Sequence, residues 1–114
     1  MTPNSEQIRW MILGLVKEYG HVTFADISKR ISSENGNVTM RHPEHESIIF
    51  WENLSENVVK ALEDLVRQKQ IFMAPATQFT YLADGLVSTL PLATSARDYT
   101  KPHWLPICFH HTKS

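Results

Sequence analysis

Six histidines (His21, His42, His45, His103, His110 and His111) and a single cysteine, Cys108, are the groups of this 114-residue chain best suited to metal or nucleophilic chemistry. His42 and His45 have ligand-like spacing if helical, and Cys108 with His110 could complete a four-ligand zinc site. No Cys-x-x-Cys pair accompanies them, and adjacent residues of an extended segment point apart. Surface and capping histidines explain the same pattern, so no metal or other cofactor is expected. Cys108 has no local signature of a nucleophile. Glu44 and Glu46 around His45 read as a solvated helix start, and Gly14, Gly20, Gly36 and Gly85 form no phosphate loop. A non-enzymatic protein is expected.

A second set of residues suits recognition rather than reaction. Ser55, Asn57, Lys60 and Arg67 fall on one amphipathic segment, Lys29 and Arg30 close another, and Thr77 and Gln78 sit in a later turn. Asn can contact adenine in two places, Arg can contact guanine or phosphate, and Lys neutralises phosphate.

The elements that would position them follow from pattern. A helix is predicted from about Ser5 to Tyr19, with Asn4 and Gln7 as capping box and Gly20 as its stop. Thr23 and Asp26 open a second helix with Phe24, Ile27 and Ile31 on one face, ending in the turn cluster 32–37. Val38-Thr39-Met40 reads as a brief strand, and His42-Pro43-Glu44 as the cap of a short helix turning Ile48, Ile49 and Trp51 inward. Leu54-Ser55 is staple plus N-cap of a third helix ending near Gln70, striped by Val58, Val59, Leu62, Leu65 and Val66. Ile71–Ala74 and Phe79–Leu82 read as a hairpin, Asp84-Gly85 as a second turn, and Leu86–Leu90 as a third strand. The tail, with Pro102 and Pro106 among Trp104, Leu105, Ile107 and Phe109, suits neither helix nor clean strand. Trp10, Phe24, Trp51, Phe72, Phe79 and Tyr81 are expected in the core. Phe79 and Tyr81 would share a strand face, which leaves base stacking on RNA or single strands open.

Leu54 to Ile71, with its Leu-Ser start, Ala61-Leu62 pair and closing Ile71, resembles the recognition helix and first wing strand of winged-helix (helix-turn-helix) DNA-binding domains. Thr23 to Ile31 is similar to their second helix. The resemblance spans roughly residues 5–83 and implies an α+β winged helix: three main helices plus a β-hairpin or three-strand meander. About 20 residues are inserted between the second and third helices, and a C-terminal arm follows. The division implied is a winged-helix domain at 1–92 and an aromatic, Pro-containing arm at 93–114, packed on the same or a neighbouring domain. It further implies nucleic-acid binding, with Ser55, Asn57, Lys60 and Arg67 at the groove, Lys29 and Arg30 on the backbone, and Thr77 and Gln78 on the wing. Transcriptional regulation is the expected role.

Charge sets bounds on that role. The chain has 42% apolar and 20% charged residues, excluding wholesale disorder, and 11 Lys+Arg against 12 Asp+Glu for a net −1. No global basic field recruits DNA or RNA. Residues 34–56 hold five acids (Glu34, Glu44, Glu46, Glu52, Glu56) against Arg41, so any duplex affinity is expected to be weak and strongly salt-dependent. The alternative is a protein-interaction module on the same scaffold, homodimeric through the C-terminal arm. No basic leader and no apolar run of about 20 residues is visible, so no membrane and a cytoplasmic location are expected.

Overall fold

The computed structural model describes residues 4–31 and 36–112; Glu34 and most of the expected turn cluster 32–37 lie outside them. Within that span the chain is an α+β domain of four helices and two three-stranded sheets. Helix α1 (Ser5–Tyr19) starts at the Asn4–Gln7 capping box and stops at Gly20, whose φ of 83° suits glycine. Strand β1 (His21–Thr23) leads into α2 (Phe24–Arg30), capped by the Thr23 hydroxyl, which accepts from Asp26 N–H.

The inserted segment is a hairpin, not a helix. Strand β2 (Val38–Arg41) pairs antiparallel with β3 (Ile48–Leu54), and the expected short helix at His42-Pro43-Glu44 is replaced by their connecting turn. Ile48, Ile49, Phe50 and Trp51 are all buried. A run covered on both faces has no helical stripe to show, and β-branched and aromatic residues favour extended backbone. Gly36 makes this hairpin close against the next helix: a Cβ there would collide with the Leu54 carbonyl. Ser55 then caps α3 (Glu56–Arg67), which ends a turn earlier than Gln70 because Lys69 takes a left-handed φ of 59°.

After β4 (Ile71–Pro75) the expected meander is absent. Phe79–Leu82 belongs to helix α4 (Gln78–Asp84), Gly85 is its left-handed C-cap rather than part of a hairpin turn, and Leu86–Leu90 forms no strand. Tyr81 is the reason. It is fully buried, its hydroxyl accepts from Phe24 N–H (3.3 Å) and donates to the Ile107 carbonyl (2.6 Å), while Phe79 and Leu82 face outward. That demand for one inward residue overrides the strand propensity of Phe-Thr-Tyr. Phe79 and Tyr81 therefore do not share a face.

The tail is also regular where irregularity was expected. Strand β5 (His103–Trp104) joins β3 in parallel, and β6 (Ile107–His111) inserts between β1 and β4, antiparallel to both. The sheet orders are β1-β6-β4 and β2-β3-β5. Pro106 precedes β6, so its missing N–H costs the ladder nothing, and its carbonyl accepts from Ala76 N–H at 3.1 Å. The arm's apolar residues lie in the chain's own core. Trp104 sits edge-on to Tyr81 at 4.9 Å and donates its indole N–H to the Phe50 carbonyl, and Phe109 meets Phe24 edge-on at 5.2 Å. Phe24 also stacks on Trp51. Each such side chain contributes about 1.5–3 kcal/mol by burial. Trp10, Phe72 and Phe79, expected inside, are exposed.

Candidate interaction surface around the third helix

Helix α3 buries Val58, Ala61, Leu62 and Leu65 and packs chiefly against α1. At about 100° per residue, Glu56, Lys60, Glu63 and Arg67 fall on its outermost row, with Asn57 and Asp64 to one side and Val59 and Val66 to the other. Ser55 is not at a free edge: its hydroxyl accepts from Val58 N–H at 3.2 Å and is engaged as the cap. Asn57 is exposed on the first turn. Lys60 is exposed and makes no ion pair among the described residues, whereas Arg67 pairs with Asp64 on its own helix.

The remaining predicted contacts lie elsewhere, and Lys29, Arg30 and Thr77 among them are engaged within the chain. Lys29 donates to the Asp84 carbonyl at 2.7 Å, and Asp84 also accepts from the Thr23 hydroxyl at 2.6 Å. Arg30 pairs with Asp26 at 3.5 Å and lies 5.2 Å over the Tyr19 ring. Thr77 and Gln78 are not on a wing: Thr77 is the N-cap of α4 and Gln78 its first residue. The structure thus groups Ser55, Asn57, Lys60 and Arg67 on one helix and ties Lys29 and Arg30 into the packing of α2.

Two acids of the insertion, Glu44 and Glu46, are turned away from the start of α3, whereas Glu52 lies on β3 shortly before it and Glu56 is its first residue. Val38 pairs with Leu54 at the junction with Ser55, and Arg41 pairs with Ile49 at the opposite end, where Glu44 and Glu46 occupy the turn. Arg41 donates to the Glu46 carbonyl, and His45 meets Asp98 at 2.8 Å, which anchors that turn to the 91–102 segment. In the same segment Tyr99 accepts from Thr94 and Ser95 N–H. The Thr94 side chain first, then Arg97, hold its phenol down to about 7.

Beside the valine edge of α3 the insertion builds something that sequence pattern did not suggest. Met40 of β2, Leu62, Glu63, Val66 and Arg67 of α3, Met73 of β4 and Phe109 of β6 line a groove of about 350 Å³. Its floor is apolar, its outer rim carries one acid and one base, and β4 is an edge strand. Val66 is 37% and Met73 36% exposed. The one signal in the sequence was Val66, at the margin of the helical stripe. Met40 and Met73 are isolated in sequence, and only the fold brings them together.

No metal centre forms among the described residues. His42 and His45 lie 4.9 Å apart in the β2–β3 turn, while Cys108 and His110 meet at 3.2 Å on β6 in the other sheet. Burial pushes the Cys108 thiol up, the direction opposite to the one that activates a thiol as a nucleophile. No described helix is long and apolar enough to cross a membrane. Compared with known proteins, the chain matches no family model, no curated protein and no solved structure.

Proposed function

We propose that this chain is a protein-binding module on a winged-helix-type scaffold, and that it seats an amphipathic segment of its partner in the groove between α3, β2 and β4. The scaffold reading is supported by element order. Three helices precede two antiparallel strands, β4 and β6, whose connection is enlarged to hold α4 and the 85–106 run. The observation that carries the function is the chemistry of α3's surroundings: an apolar floor of Met40, Val66 and Met73 beside a helix whose Arg67 is already neutralised by Asp64. Apolar anchors set at helical spacing match such a floor, and Glu63 at the rim selects partner charge. The C-terminal arm, once a candidate dimer contact, keeps little apolar surface to offer, because Trp104, Ile107 and Phe109 are spent on its own core.

Nucleic-acid binding keeps one support, exposed Asn57 and Lys60 on the first turns of α3, where base contact would be made. The test sets the readings against each other. Amphipathic helical peptides selected on the immobilised protein should lose binding with Val66→Asp or Met73→Asp and keep it with Lys60→Ala. A mixed duplex at about 50 mM salt is the low-salt control most favourable to DNA. Duplex binding lost with Lys60→Ala and unchanged by Val66→Asp would overturn the protein reading.

A further inference from the structure

The four glycines divide three to one. Gly20 and Gly85 have φ of 83° and 87°, and Gly36 presses on the Leu54 carbonyl, so each answers a need of the fold. Gly14 answers none. It is exposed in the interior of α1, and a Cβ built on it meets nothing within 4 Å among the described residues. Glycine there costs about 1 kcal/mol relative to alanine. The residue costs the isolated domain stability, and no contact among the described residues offsets that cost.

Its surroundings point to a use. By helical angle Gly14 is at the centre of α1's outward face, with Trp10 and Lys17 on one flank and Met11 and Glu18 on the other. Trp10 is 66% and Met11 40% exposed, although large apolar side chains gain from burial. A groove of about 380 Å³ runs along the Met11 flank past Leu15 and Ile31. Neither Lys17 nor Glu18 makes an ion pair among the described residues.

We propose that this face is a homodimer interface, in which α1 packs on α1 of a second copy, crossing at Gly14, about a two-fold axis running alongside the helices. Such an axis joins identical patches and sets each flank against the opposite flank of the other copy. Trp10 then meets Met11 of the second copy, a sulfur–aromatic contact beside the groove, and Lys17 meets Glu18 of the second copy. Each pairing occurs twice, and the charges cancel. Glycine against glycine lets the backbones approach at the short end of the roughly 8–10 Å range for helix pairs. The face complements itself in shape and in charge, which is why the occupant is a second copy rather than an unrelated chain. The inference does not depend on the groove at α3.

Sedimentation equilibrium of the full chain tests it. The wild type should associate reversibly to a dimer. Gly14→Ala, which adds one methyl group at the crossing, and Trp10→Ala, which removes the anchor, should each weaken association by about tenfold or more. Both positions are exposed, so both variants should fold, and far-ultraviolet circular dichroism checks that they do. A wild type that stays monomeric at the highest soluble concentration overturns the proposal, as does a dimer whose strength either substitution leaves unchanged.

Discussion

Helices α1 and α3 pack against each other through closely similar inner faces and carry opposite outer ones. Inside, Ile8, Ile12, Leu13 and Val16 oppose Val58, Ala61, Leu62 and Leu65. Outside, α3 presents alternating acids and bases, of which Arg67 pairs with Asp64, while α1 presents Trp10 and Met11 around a glycine. A charged outer face is stable in water as it stands. An aromatic face with a helix-weakening residue at its centre gains stability from being covered. The contrast teaches that the more polar helix of the pair is the more self-sufficient, although its capped, amphipathic pattern first draws notice.

The comparison breaks first at the shared seam. Ile12→Ala and Leu62→Ala should each cost about 2–5 kcal/mol in denaturant unfolding, and by similar amounts, because both side chains are fully buried. Unequal losses would mean that one helix docks on a core already formed without it. Next come the outer faces. In dilute, monomeric protein Gly14→Ala should stabilise by about 1 kcal/mol, whereas Lys60→Ala should stay within about 0.5 kcal/mol of wild type. Thermal unfolding reads both, and a destabilised Gly14→Ala variant would reveal an internal role for that glycine. The exposed Arg67–Asp64 pair comes third: Arg67→Ala should shift stability by no more than about 0.5 kcal/mol, less at high salt. The smallest effect belongs to the rim of the proposed dimer. Lys17→Glu should weaken association about two- to fivefold, and combining it with Glu18→Lys should restore it. Sedimentation of the single and double variants would show whether the charges face each other across the axis.

How much of this could be read from the residues depended on whether the deciding contacts were local. The caps at Asn4, Thr23 and Ser55 stand where sequence put them, because a cap is a bargain among residues three apart. Asp84-Gly85 misled because glycine at positive φ serves a helix end as well as a hairpin. Phe79–Leu82 misled because burial of Tyr81 against Trp51 and Trp104 is settled by residues more than 20 positions away. The third helix was legible as an element, but its groove was not: Met40 and Met73 carry no pattern of their own. Nor does sequence reveal that Lys29 is held by Asp84 from 55 positions away.

The central place of β6 in its sheet has a consequence for synthesis. Strands β1 and β4 do not pair with each other; both wait for residues 107–111, made well after either of them. Until that stretch leaves the ribosome, two strand edges and the Phe24 pocket stand open together. Before then the nascent chain carries its first three helices and the β2–β3 hairpin without the β1-β6-β4 sheet, and that interval is when its open strand edges most need protection from neighbours.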